Sequence, residues 1–294
     1  MLMASSITVY RCGRIGTSMT TLDFTSTSAD GVRQAAEPVI SVTTIVANLG
    51  CHPAVTVPMI TGETPDVNWT WDYLAEPAGF FGITMPTRDA LRFALERFDS
   101  SATSRETRRR IVAVTIMLVE VNGGAQFVIT GVPVRQFDPA AVCVAVGPDS
   151  SWLAPGAAEP LWRRMAARTS SQGDVDQLSR SLNGDDFVDQ VGRLDQSMIG
   201  PPALGALVFG HGDEFIGLES PRAASVLALM ERCGAILSGT ITRASDFVAP
   251  AVASSAWWIS PSFEVHPAAC IGDVHYLRDE IDSGLIPAFL GSLA

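Results

Sequence analysis

The chain has 294 residues, 47% of them apolar and 17% charged, and a formal net charge of −11. Such a length and apolar content can fill two compact cores or one large one. The acidic balance, offset only by a cluster at Arg105 and Arg108 to Arg110, argues against a nucleic-acid partner, whose affinity comes largely from phosphate neutralisation, and against an anionic membrane surface.

No apolar run approaches the roughly twenty residues of a membrane span. Met1-Leu2-Met3-Ala4-Ser5 lacks a charged segment followed by an apolar core, so a cytoplasmic location is expected. Cys12, Cys51, Cys143, Cys233 and Cys270 are scattered, with no Cys-x-x-Cys pair, and read as reduced, mostly buried thiols. All 20 basic residues other than histidine are arginine, and the chain has no lysine.

In chain order, residues 6–10 alternate as a short strand, and the Ser/Thr-rich residues 17–28 read as loop or edge structure. The β-branched run 39–47 predicts a strand. Pro53, Pro58, Gly62 and Pro65 predict an irregular excursion over 51–70. Trp69, Trp71 and Tyr73 alternate as on a strand, reading as core or interface packing or as an aromatic wall to a pocket. A helix capped by Thr87 follows, with Leu91, Ala94, Leu95 and Phe98 on one face. Ile111 to Val119 predicts a long strand that turns at Asn122-Gly123-Gly124 and returns from Phe127 to Val134. Ala140 to Val146 predicts another strand. The Pro-, Gly-, Ser- and Ala-rich segment to Pro160 is the best linker.

Beyond it, Leu161 to Arg168 reads as a short arginine-rich helix or turn, and 174–182 as a helix. Strands are expected at 188–194 and 204–209, then a turn at His211-Gly212-Asp213. Ser220-Pro221 reads as a helix opening, with Ala224, Val226, Leu227, Leu229 and Met230 at helical spacing and Gly234 as the stop. Strands around 238–242, 256–259 and 263–265 precede a terminal helix at 282–293.

The order of Gly184-Asp185-Asp186-Phe187-Val188, Gly192-Arg193-Leu194, Ser220-Pro221-Arg222, Gly239-Thr240-Ile241-Thr242, Ala253-Ser254-Ser255-Ala256 and Cys270-Ile271-Gly272-Asp273 resembles the second half of the fold-type IV pyridoxal-phosphate enzymes, the class-IV aminotransferase and aminodeoxychorismate lyase family. The resemblance implies an α/β (α+β) fold of two domains, here 1–146 and 161–294 joined by a linker at 147–160, and a homodimer by analogy. It also implies a lysine about eighteen residues before Gly184, between Arg163 and Arg168, where this chain has none. Arginine stays protonated and cannot form an imine. The glutamate that pairs with the cofactor's ring nitrogen falls on Gln196, or on Asp195 after a one-residue slip, and Gln196 supplies no carboxylate.

Candidate site residues follow from this alignment. Arg164 and Arg168, with Arg163, could hold a carboxylate or stabilise an oxyanion, or form a solvated basic face. Gln196 marks the altered ring-nitrogen position. Ser220, Arg222, Thr242, Ser254 and Ser255 fall where the family holds the cofactor phosphate, and a helix start beside Arg222 suits an anion. The carboxylates Asp174, Asp176, Asp185, Asp186, Asp189 and Asp195 read mostly as solvated or capping groups. His266 and His275, near Glu264 and Asp273, suggest a metal site only weakly and read as structural histidines. Cys51 and His52 are chain neighbours that point opposite ways on an extended segment.

The expected function is an aminotransferase-like enzyme that works without a covalently held cofactor, promoting a lyase, isomerase or cyclase step on a small anionic or aromatic metabolite, with bacterial specialised metabolism as a natural setting. A regulatory or scaffolding pseudoenzyme, and an enzyme using non-covalently bound pyridoxal or pyridoxamine phosphate, stay open as alternatives. No nucleic acid, membrane or metal is expected as a partner.

Overall fold

The computed structural model describes residues 5–8, 24–27, 52–103, 110–121, 124–134, 140–147, 160–170, 178, 180–182, 187–193, 197–220, 224–244 and 248–276. The expected strand at 39–47, most of the linker and the terminal helix lie outside them. The chain divides into two compact units, Met1–Pro133 with Arg168–Gln172, and Val134–Ala167 with Gly173–Ala294.

In the first unit, β1 (Ser5–Thr8) and β2 (Phe24–Thr27) form an antiparallel ribbon. Strands β3 (Ala54–Ile60), β4 (Ile111–Val121) and β5 (Gly124–Pro133) form an antiparallel sheet. Residues 51–70 are thus not the irregular excursion that their prolines suggest. The Ala54 N–H points away from β4, toward the Arg168 carbonyl at 3.0 Å, so two-residue alternation turns the N–H side of Pro58 away from β4 as well. Its missing donor falls on the open side of β3.

Helix α1 (Val67–Phe80) replaces the alternating strand expected around Trp69, Trp71 and Tyr73. Asp66 caps it by accepting from the Trp69 N–H at 3.0 Å. Thr70, Leu74, Pro77 and Ala78 form its buried stripe, and the Trp69 and Tyr73 rings stack four residues apart at 5.1 Å. Helix α2 (Arg88–Thr103) has the expected Thr87 cap, whose Oγ1 accepts from the Ala90 N–H at 3.2 Å. Leu91, Ala94, Leu95 and Phe98 are all buried. Gly131 of β5 leaves room for the Phe98 ring, since a Cβ there would lie 2.4 Å from its Cζ.

The second unit is a mixed sheet in the order β11-β10-β9-β12-β13-β6-β7-β8, with β14 added on β13. These strands are β6 (Val142–Gly147), β7 (Phe187–Arg193), β8 (Ile199–Pro202), β9 (Ala206–His211), β10 (Glu214–Glu219), β11 (Thr242–Arg243), β12 (Ser255–Ile259), β13 (Val265–Ile271) and β14 (Val274–His275). β13, β6 and β7 run parallel, while the β9–β10 hairpin turns at Gly212, whose φ of 62° suits glycine. β8 also lies against β9 and β10, curling the sheet. Leu207, Phe209, Leu218, Trp258 and Ile271 fill its core. The short helix α3 (Leu161–Ala166) forms as expected, whereas α4 (Val226–Arg232) starts after Ser225. Ser220 instead ends β10, so the opening read at Ser220-Pro221 is displaced by the hairpin partner that extends β10 through Glu219.

The cysteine reading also changes. Parallel pairing of β6 and β13 sets Cys143 beside Cys270, with Cα atoms 4.8 Å apart, and the two are joined as a disulfide. Cys233 is outside any disulfide, and its thiol donates to the Met230 carbonyl at 3.3 Å. No described helix is long and apolar enough to cross a membrane.

Asp189 on β7 is completely buried. Its Oδ1 accepts from the N–H groups of Gln190, Ala203 and Leu204 at 2.7, 3.1 and 3.0 Å. Its Oδ2 accepts from the Gly205 N–H at 2.8 Å and the Trp258 indole N–H at 2.9 Å. One carboxylate therefore ties the β8–β9 turn to β7 and β12. Burial raises its pKa above the usual carboxylate value, opposed by the bonds from Gly205, Trp258, Gln190 and Leu204.

Asp189→Ala leaves the Leu204, Gly205 and Trp258 donors without this acceptor and is expected to cost about 3–5 kcal/mol in urea unfolding. Because the folded pKa is raised, the stabilising term is fully present below the unfolded value near ~4 and is lost as pH rises through the folded value. The stability of the wild type relative to Asp189→Asn should therefore fall from acidic to neutral pH; a rise would mean that the hydrogen bonds outweigh burial.

Candidate functional site

Arg168, read as a candidate carboxylate or oxyanion group or as part of a solvated basic face, lies against α1 in the structure. Pro77 has no N–H and so cannot donate to the Tyr73 carbonyl four residues earlier. The Arg168 guanidinium donates to that carbonyl and to the Glu76 carboxylate. It also stacks over the Tyr73 ring, 3.8 Å from its centre. Its side chain is 13% exposed. Arg164, on α3, is exposed.

Ser220 is buried. Its hydroxyl donates to the Ala203 carbonyl at 2.9 Å and its N–H to the Gly205 carbonyl at 3.1 Å. It belongs to the turn that Asp189 organises. Gly205 is required there because a Cβ would lie 2.2 Å from the Ile259 carbonyl. Ser254 donates through both its N–H and its hydroxyl to the Gly210 carbonyl, at 3.0 and 3.1 Å, and Ser255 is buried opposite Gly210. Gly205 and Gly210 stand at opposite ends of β9, about 17 Å apart at strand rise, so the structure does not bring Ser220 together with Ser254 and Ser255. Thr242 is exposed on β11, opposite Ile216. Gln196 and Arg222 lie outside the described residues.

At the start of α4 the chain supplies its own anion. Glu219 Oε2 accepts from the Ala228 N–H at 3.4 Å, and Oε1 lies 3.1 Å from Arg243 Nε. Arg243 also pairs with Glu231. Burial raises the Glu219 carboxyl pKa, opposed first by the Ala228 N–H and then by Arg243. Among the described residues no cluster of three His, Cys, Asp or Glu side chains could hold a metal. His266 sits 4.0 Å from Glu264 and against the Trp258 ring.

Sequence reasoning placed Asp189 among solvated carboxylates; its signal was its position inside an otherwise strand-like run. It also set aside His52. Both ring nitrogens of His52, the hydroxyl of Ser170 and Oε1 of Gln126 are buried without a hydrogen-bond partner.

No protein-family model and no curated protein sequence matches the chain. By structure it is similar to a fold IV transaminase from Curtobacterium pusillum, with a TM-score of 0.59 and 14% identity over 92% of this chain and 93% of that one. A hypothetical aminotransferase from Mycobacterium tuberculosis in a PLP-bound form superposes with a TM-score of 0.62 at 11% identity, covering 90% of this chain and 96% of that one. An aminotransferase from Brucella abortus bound to PLP gives a TM-score of 0.53 at 11% identity, covering 92% and 94%. The mixed α/β fold is that of the fold-type IV aminotransferases. The residues of this chain do not fit a cofactor held as an imine: it contains no lysine, Arg168 is tied to α1, and Ser220 is turned into the β8–β9 turn.

If Arg168 serves the carbonyl to which Pro77 cannot donate, Arg168→Ala should cost about 1–2 kcal/mol. Pro77→Ala restores an N–H to that carbonyl, so in its background the cost should fall by about 0.5–1 kcal/mol. A double-mutant cycle in urea reads this directly, and strictly additive costs would separate the two residues.

Proposed function

We propose that this aminotransferase-fold chain is an enzyme working without a covalently held cofactor, promoting a lyase, isomerase or cyclase step on a small anionic or aromatic metabolite. The observation that carries the reading is the absence of lysine from all 294 residues, because no other side chain here supplies the amine for an imine. The internal commitment of Arg168, Ser220 and Glu219 supports it, since groups spent on the chain itself are not free to hold a cofactor phosphate. A catalytically inactive scaffold is the second reading, favoured by the same commitments.

The test is a thermal-shift titration of the whole chain, with absorbance spectra, against pyridoxal phosphate, pyridoxamine phosphate and inorganic phosphate. A ligand at a hundred times its Kd stabilises by roughly 2.7 kcal/mol. We expect no shift from either cofactor form. Stabilisation by pyridoxal phosphate but not by phosphate would replace this reading with an enzyme that uses the cofactor non-covalently.

A further inference from the structure

Among the described residues of the first unit, the buried polar atoms without a hydrogen-bond partner are not scattered. Ser170 donates its N–H to the His52 carbonyl at 2.8 Å, and Pro53 bridges Thr169, so 169–170 form an added strand edge beside β3. The β3–β4 register begins at Ala54 opposite Met117, and the Leu118 N–H reaches the Pro53 carbonyl at 2.8 Å, setting His52 opposite Val119. Val119 in turn pairs with Gln126. Residues directly opposite across antiparallel strands project from the same face. Ser170, His52, Val119 and Gln126 therefore form one row.

Three members of that row carry buried polar atoms with no partner: Ser170 Oγ, both nitrogens of His52, and Gln126 Oε1. Arg168 Nε, two residues before Ser170, is buried and unbonded as well. Such groups are costly in a folded interior, and several at one place indicate a site completed by something other than the chain. The fourth member, Val119, is apolar and 4% exposed.

We propose that this row binds a para-hydroxylated aromatic carboxylate. The order of chemistry along it is two hydrogen-bond donors, an apolar step, then an acceptor. The Ser170 hydroxyl and a His52 N–H, on adjacent strands, take one carboxylate oxygen each. The ring lies over Val119. Gln126 is two strand spacings from His52, about 10 Å between backbones, a gap that the two long side chains shorten, and its Oε1 accepts the distal hydroxyl. A carboxylate alone leaves Gln126 unpaired, and a phenol alone leaves His52 and Ser170 unpaired. The assignment rests on the reading above for its substrate class and adds its residues.

The test is calorimetric titration of the full chain with 4-hydroxybenzoate, benzoate and phenol, on the wild type, Gln126→Leu and Ser170→Ala. The wild type is expected to bind 4-hydroxybenzoate saturably and benzoate about tenfold more weakly, the loss expected for one unpaired buried acceptor. Gln126→Leu should erase the preference for 4-hydroxybenzoate over benzoate. Ser170→Ala should weaken both acids about tenfold and leave phenol unchanged. Neither variant should lower the Tm, because each removes a polar group that the empty protein leaves unpaired. Absence of saturable binding of 4-hydroxybenzoate by the wild type would overturn the proposal, as would a preference that survives in Gln126→Leu. The titrations are repeated with pyridoxal phosphate present: a protein-dependent shift of the cofactor's absorbance would sink the cofactor-independent reading alone, whereas the Gln126 pattern decides this one.

Discussion

A carboxyl group held at the centre of the second unit is the constraint on which its geometry rests. Asp189 accepts from four backbone N–H groups and one indole, an arrangement that offsets much of the cost of burying a carboxylate. The turn from Ala203 to Gly205 can take its course only while that acceptor is present. Everything beyond the turn inherits its position: Gly205 runs against β12, Ser220 closes the turn from outside, and β9 begins in register with β10 and β12. The Cys143–Cys270 link fastens β6 to β13, so β6, the neighbour of β7, is itself covalently tied.

The first unit shows the same economy on a smaller scale. The proline inside α1 cannot donate to the Tyr73 carbonyl, and Arg168 from a distant part of the chain donates to that carbonyl while pairing with Glu76. The functional consequence follows from how much chemistry is consumed this way. Arginine, serine and glutamate side chains that could contact a cofactor or its phosphate are bonded internally at Arg168, Ser220 and Glu219. Among the described residues of the first unit, the row through His52 keeps buried polar groups without a partner beside an apolar step, an arrangement that suits orientation of a small molecule.

The elements most legible in the sequence were those decided by local forces. The Thr87 cap and the Leu91, Ala94, Leu95 and Phe98 stripe predict α2 because capping and helical periodicity act within one turn. β4 and β5 were legible because a long β-branched run meets a glycine turn. The misreadings have local causes too. Trp69, Trp71 and Tyr73 alternate, yet the Asp66 cap and the spacing of Thr70, Leu74 and Ala78 decide for a helix. Pro58 argues against a strand only when its N–H side faces a neighbour, and sequence does not say which side that is.

Composition by itself determined that none of the 294 residues is a lysine whose side chain could form an imine, because that point depends on residue chemistry and on no coordinates. The order of motifs in the second half pointed to the fold. Tertiary structure alone decided which carboxylate is buried, which cysteines meet, that Ser220 and Ser254 stand at opposite ends of β9, and that Ser170, His52 and Gln126 share a row. Each of these is a matter of register between strands far apart in the chain. A shift of one residue would turn every one of those side chains to the other face.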